Sequence, residues 1–247
     1  MKVKTILVSQ PEPKVENSPY FDIQQKYKVK IDFRPFIHVE GATAKEVRQQ
    51  KIDLNNYTSI ILTSKNSVDH FFRVAEEMRY KVPETLKYFC QSEAIAYYLQ
   101  KYVVYRKRKI YVGMKDFKDL SPLIKKFKDD KFLLPASDKL NDDVPQTLNE
   151  LNVDWKQGVF FRTAMSDLSD LRDVKYDVLA FFSPTGINSL FMNFPDFQQN
   201  ETRIAVFGST TQKEALDHNL RVDIMAPSAE SPSMTMALDK YLAKVNK

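Results

Sequence analysis

The chain has 247 residues, 43% of them hydrophobic and 28% charged, and a net charge of +5. That length serves one large domain or two of ordinary size, and the balance is that of a globular protein. It excludes an intrachain disulfide, since Cys90 is the lone cysteine, and argues against a transition-metal site, since His38, His70 and His218 are scattered without ligand spacing.

The elements follow in order. A first strand is expected over residues 4–8 and is broken by Ser9-Gln10-Pro11-Glu12-Pro13. A helix over 20–27 and a strand over 29–36 come next. Further strands are expected at 60–63, 87–90, 110–112, 132–134, 158–161, 178–182, 203–207 and 222–225. Helices alternate with them at 67–78, 92–102, 120–127, 144–151, 187–194, 211–218 and 232–245. Strict alternation of strand and helix argues for parallel sheets covered on both faces. No apolar run approaches the ~18 residues that span a bilayer, and the N-terminus lacks a signal-peptide pattern, so a cytoplasmic protein is expected. The basic tract Arg106-Lys107-Arg108-Lys109 reads as a solvated connection or an edge-strand guard, with steering of an acidic ligand as the alternative. The charge is not gathered into a nucleic-acid patch. Cys90 ends an apolar run and reads as a small buried hydrophobe.

One pattern occurs twice. Ile60-Ile61-Leu62-Thr63-Ser64-Lys65-Asn66-Ser67 and Leu179-Ala180-Phe181-Phe182-Ser183-Pro184-Thr185-Gly186 are each an apolar run, a serine and a helix start. The next strands end at Cys90-Gln91-Ser92-Glu93 and Gly208-Ser209-Thr210-Thr211, with a nearly constant offset between copies. Lys131-Phe132-Leu133-Leu134-Pro135-Ala136-Ser137 resembles the N-terminal Lys4-Thr5-Ile6-Leu7-Val8-Ser9-Gln10, but comes after the other units rather than before them. The expected architecture is therefore α/β, with two flavodoxin-like (Rossmann-like) parallel-sheet domains joined by a two-stranded linker. Domain one is discontinuous, 1–36 and 164–247, and domain two is inserted at 37–163. Ligands bind such sheets beyond the carboxyl ends of the strands, where helix N-termini offer N–H groups to anions.

These stretches resemble the uroporphyrinogen-III synthase family. Ile61-Leu62-Thr63-Ser64-Lys65-Asn66-Ser67-Val68, Phe181-Phe182-Ser183-Pro184-Thr185-Gly186 and Ile204-Ala205-Val206-Phe207-Gly208-Ser209-Thr210-Thr211, followed by Ala226-Pro227, carry the likeness. The resemblance implies a monomeric lyase of tetrapyrrole and heme biosynthesis, without metal or organic cofactor, nucleic acid or membrane partner. Its substrate would be hydroxymethylbilane, a linear tetrapyrrole with eight carboxylates. The hydroxyl leaves as water, the last pyrrole ring is inverted, and the ring closes to uroporphyrinogen III. The candidate substrate contacts are Thr63, Ser64, Lys65, Asn66, Ser67, Ser92, Phe161, Ser183, Thr185, Gly186, Gly208, Ser209, Thr210 and Thr211. Pro184 has no N–H, which favours Thr185 and Gly186 as backbone donors. Plain helix capping is the competing role for the serines.

Three departures from the family pattern stand out. Phe161 falls where members often carry a tyrosine whose hydroxyl is a candidate for assisting the leaving group; phenylalanine cannot donate, and either packs on a pyrrole face or belongs to the core. Glu93 would repel a carboxylate unless it points away. Across Ser137 to Asn141 relatives tend to have a glycine and, four positions on, a basic residue, where this chain has serine and asparagine. Arg34 and Arg162 flank the expected crossings, and face either the cleft or solvent. Asp167 and Asp170 read as an acidic capping run rather than an acid or metal site. Two non-catalytic rivals keep the same fold: a two-domain binding protein and a regulatory protein that has lost activity.

Overall fold

The computed structural model describes residues 2–114, 116–140 and 142–246. Asn141, which closes the Ser137 departure, lies outside them.

The elements in chain order are β1 (Thr5–Val8), α1 (Pro19–Tyr27), β2 (Lys30–Phe33), β3 (Ile37–Gly41), α2 (Ala44–Gln49), β4 (Ser59–Leu62), α3 (Lys65–Glu77), β5 (Lys87–Cys90) and α4 (Glu93–Leu99). They continue with β6 (Ile110–Val112), α5 (Ser121–Lys125), β7 (Lys131–Ser137), α6 (Asp143–Glu150) and β8 (Asp154–Met165). The chain ends with β9 (Val178–Phe181), α7 (Pro184–Asn193), β10 (Arg203–Phe207), α8 (Ser209–Asp217), β11 (Val222–Ala226) and α9 (Met234–Val245).

The chain divides into two compact units. Met1–His38 with Ala164–Lys247 form a terminal unit, and Val39–Thr163 a middle unit. The terminal unit holds a five-stranded parallel sheet ordered β11-β10-β9-β1-β2. The middle unit's sheet runs β3-β8-β7-β4-β5-β6, with β8 through β6 parallel. Equating β1 with β7, β2 with β8, and β9, β10 and β11 with β4, β5 and β6 makes the two orders identical. The repeat is thus present in space, with its segments permuted in sequence.

Both sheets are buried on both faces, which is why their central strands are continuous apolar runs. Alternate side chains serve opposite layers. In the terminal unit Ile6, Val8, Val178 and Ala180 meet Ile23 of α1 and Leu238 of α9. Leu7, Leu179 and Phe181 meet Ile187 and Leu190 of α7 and Ala215 of α8. In the middle unit Ile60, Leu62, Tyr88 and Cys90 pack with Phe71 of α3 and Leu99 of α4. Ile61, Phe89 and Phe132 pack with Ile124 of α5 and Leu148 of α6. Cys90 is fully buried, and burial pushes its thiol up to about 12, as a small hydrophobe requires. The basic tract ends at Lys109, immediately before edge strand β6, with Arg106 paired to Glu84 across 3.0 Å.

The structure differs from the sequence expectation in several places, among them that β7 extends over Lys131–Ser137 rather than 132–134 alone. The strand expected over 29–36 ends at Phe33, and after Arg34-Pro35 a separate strand, β3, begins at Ile37. β8 runs from Asp154 to Met165, not only over 158–161, because it pairs with β7 from Asp154 onward and lies beside the crossing segment β3 on its other side. The helix expected over 92–102 stops at Leu99. A further helix, α2, is held by a reciprocal capping box between Thr43 and Glu46.

Candidate functional site

The strand-end geometry is built the same way in both units. In the middle unit the chain leaves β4 and enters α3 at Ser64, whose extended backbone marks it as the N-cap. Ser64 Oγ accepts the Ser67 amide at 3.0 Å, and Ser67 Oγ accepts the Ser64 amide at 3.1 Å and donates to Ser64 O at 2.6 Å. In the terminal unit the chain leaves β9 and enters α7 at Ser183, whose Oγ accepts the Gly186 amide at 3.2 Å. β4 lies beside β7, and β9 beside β1, where strand order reverses direction. Those are the positions at which doubly wound sheets hold ligands.

The capping bonds decide which groups face outward. Ser67 is fully buried and its hydroxyl is occupied. Lys65 and Asn66 are exposed, and their first-turn amides have no partner within the helix. Thr63 and Ser64 are half-buried beside them. The Gly186 amide, expected as a donor, is taken by Ser183 and the residue is buried; Thr185, half-buried, is left as the first-turn donor after Pro184. Ser9, which the sequence presents only as a strand end, belongs to this corner. Its amide donates to Ala180 O at 3.0 Å, and its Oγ lies 3.9 Å from where a Cβ on Gly186 would fall.

The second pair of helix starts is less alike. Gly208 caps α8 with φ +89° and ψ 150° and donates its amide to Ala226 O at 2.7 Å. It has no side chain to cap the helix, which leaves the Ser209 and Thr210 amides uncapped; both residues are exposed, while Thr211 is buried. Ser92 precedes the seven-residue α4, makes no side-chain cap bond and is half-buried, with Glu93 exposed next to it.

Phe161 owes its position to a bulge. The pairing of β7 with β8 shifts between Ala136 and Ser137, so that Phe160 and Phe161 both join the core beneath α3. Phe161 is 9% exposed and stacks on His70, with ring centroids 5.2 Å apart. Arg34 donates to both oxygens of Asp170 at 3.0 Å and to Asp167 O at 2.7 Å. Asp167 in turn accepts the Ser169 amide, the local turn role expected of the acidic run. Arg162 pairs with Glu40 and Glu46, and Glu46, bonded by the Thr43 amide and hydroxyl and by Arg162, is held down to about 2.

His70 has a proton affinity below that of free imidazole, because burial and the neighbouring Arg73 guanidinium outweigh the attraction of Asp69. The unfolded chain takes up this proton near pH ~6.5 and the folded chain only at lower pH, so His70 favours folding above that range and the benefit is lost as pH falls. Urea midpoints at pH 7.5 and 5.5 are expected to differ less in His70→Gln than in the parent chain. An equal difference would assign the acid sensitivity to other groups.

Among the described residues no group of histidine, cysteine and acidic side chains is arranged to hold a metal ion. No described helix is long and apolar enough to cross a membrane. No curated protein matches the chain by sequence. Among solved structures, uroporphyrinogen-III synthetase from Helicobacter pylori is similar over 98% of this chain and 99% of its own, at 17% identity and a TM-score of 0.59. A mutant uroporphyrinogen III synthase from Thermus thermophilus is similar over 98% and 99%, at 13% identity and a TM-score of 0.50. At such identities the likeness shows the fold. The family model for uroporphyrinogen-III synthase HemD matches residues 24–236. With a match over most of its length and two permuted sheets of one strand order, the chain belongs to the uroporphyrinogen-III synthase HemD family.

Proposed function

We propose that this chain is a uroporphyrinogen-III synthase, converting hydroxymethylbilane to uroporphyrinogen III as a cytoplasmic monomer. One arrangement carries the reading: both units place a serine-started helix after the strand beside the switch in strand order. Amides at Lys65, Asn66, Thr185, Ser209 and Thr210, with the hydroxyls around them, suit a ligand bearing many carboxylates. Thr63, Ser64, Ser183 and Gly208 shape those turns. Ser67, Gly186 and Thr211 support them from the buried side, and Ser92 is a smaller contributor. The division into 1–36 with 164–247 around 37–163 gives each turn set its own rigid sheet.

The chemistry asks mainly for orientation. Loss of the terminal hydroxyl as water leaves an azafulvene, an electrophile that closes readily. The enzyme's task is to hold the chain so that attack comes from the substituted carbon of the last ring, which inverts that ring. Dehydration and closure leave the overall oxidation state unchanged, so the reaction calls for no redox cofactor. Phe161 carries no ionisable hydroxyl, and protonation of the leaving group falls to water or to another side chain.

An isomer-resolved assay with freshly generated hydroxymethylbilane tests the proposal. The type III isomer is expected in excess. Only the type I isomer, which forms without enzyme, would reject it, and tight binding of the tetrapyrrole with that outcome would favour the non-catalytic binding protein.

A further inference from the structure

Lys65 is the first residue of a 13-residue helix. A cation there opposes the helix dipole, whose N-terminal end is already positive. No carboxylate pairs with the Lys65 ammonium among the described residues; it lies instead over the Tyr98 ring, 5.3 Å from the centroid. A ring face attracts a cation without cancelling its charge. The ring is itself held: Tyr98 Oη donates to both oxygens of Asp69, at 2.8 and 3.0 Å. Asp69 is occupied further by the Tyr102 hydroxyl at 2.5 Å and by the Lys101 ammonium at 3.6 Å. Burial raises the Asp69 proton affinity, but these bonds and the Lys101 charge bring it below the ordinary carboxylate range, so it stays ionised and keeps the ring in place. Lys101 lies over the same ring, 5.6 Å from its centroid, but its charge is offset by the Asp69 carboxylate, so the net result is one uncancelled positive charge, that of Lys65, beside the first-turn amides of the exposed Lys65 and Asn66. The corresponding turn of the terminal unit, Pro184-Thr185-Gly186, has no cation.

We propose that Tyr98, fixed by Asp69, is a positioning residue that presents the Lys65 ammonium to one substrate carboxylate at the start of α3. This rests on the activity proposed above and adds to it an asymmetry: the middle unit supplies a charged arm where the terminal unit supplies hydroxyls and amides.

The test compares Lys65→Gln, Tyr98→Leu, Tyr98→Phe and the Lys65→Gln/Tyr98→Leu double variant with the parent chain, with thermal melts confirming that each is folded. Lys65→Gln and Tyr98→Leu are each expected to raise KM for hydroxymethylbilane roughly fivefold, with the effect on KM rather than kcat. The double variant is expected to be no worse than Lys65→Gln alone, since both changes remove the same contact. Tyr98→Phe, which keeps the ring and loses the bonds to Asp69, should fall between. The Lys65 side-chain methylene protons should carry an upfield ring-current shift in the parent that Tyr98→Leu removes, a signal readable without substrate. A parent chain that makes only the type I isomer overturns the activity and this assignment together. A parent that makes type III, with Tyr98→Leu within twofold in KM or with the two single effects multiplying in the double variant, overturns the positioning role alone.

Discussion

Gly208→Ala is expected to lower stability by about 1–3 kcal/mol and kcat/KM for the proposed reaction on the order of tenfold to a hundredfold. The cost is one of backbone and not of space. A Cβ built on Gly208 meets nothing within 4 Å, but φ +89° with ψ 150° is a region that residues with a side chain scarcely enter. To escape it the peptide must rotate, and the rotation disturbs two things at once. It pulls the Gly208 amide from Ala226 O, and it re-aims the first amides of α8, at Ser209 and Thr210. Urea unfolding and the isomer-resolved assay, run on the same preparation, check both halves. An alanine variant matching the parent in both would mean that the turn tolerates another backbone path.

Phe71→Ala is expected to cost about 3–5 kcal/mol, and to cost it in the middle unit. Phe71 is fully buried on α3, its ring 6.4 Å from that of Phe160 and 5.1 Å from that of Phe72. The clusters that contain Phe71 and Phe132 draw on residues 42–161, whereas those that contain Ile6 and Leu179 draw only on the chain's two ends. A cavity at Phe71 therefore weakens one set of layers and leaves the other set's contacts intact. Denaturation followed by Trp155 fluorescence, which reports on the middle unit, should shift to lower urea, while a probe placed in the terminal unit should not. Equal shifts of both signals would show that the two sets unfold as one.

What the sequence reveals of this molecule depends on how local the determining physics is. The buried strands announce themselves because two-sided burial demands unbroken apolar runs, as at Ile60-Ile61-Leu62 and Val178-Leu179-Ala180-Phe181. β3 does not, because Ile37-His38-Val39-Glu40-Gly41 lies on a sheet edge and each of its residues is half-buried or exposed. α2 carries a readable signal, Thr43 followed three residues later by Glu46, but at six residues it is too short for apolar periodicity to show. The candidate site is legible as a set of strand-end turns that start helices, because a serine after an apolar run and a glycine before a helix are local signals. It is not legible at the level of which atoms face outward. Whether a hydroxyl caps its own helix, as at Ser67, or whether Gly186 keeps its amide, is decided by bonds across the turn. The bulge that turns Phe161 toward His70 comes from pairing with β7, and the ring under Lys65 comes from a different helix. Neither neighbour is near in sequence.

Phe36 O accepts the Ser166 amide at 2.9 Å, and Phe160 O accepts the Ala42 amide at 2.9 Å, so the strand entering the middle unit and the strand leaving it run side by side in opposite directions. The insertion thus opens its host at a place where the two cut ends are already neighbours. A chain in which a tight hairpin joins residues 38 and 164 is expected to keep a cooperative urea transition, as circular dichroism would show, because the two joined positions already sit on adjoining strands. Entry and exit of the middle unit thus share one seam, a pair of antiparallel strands.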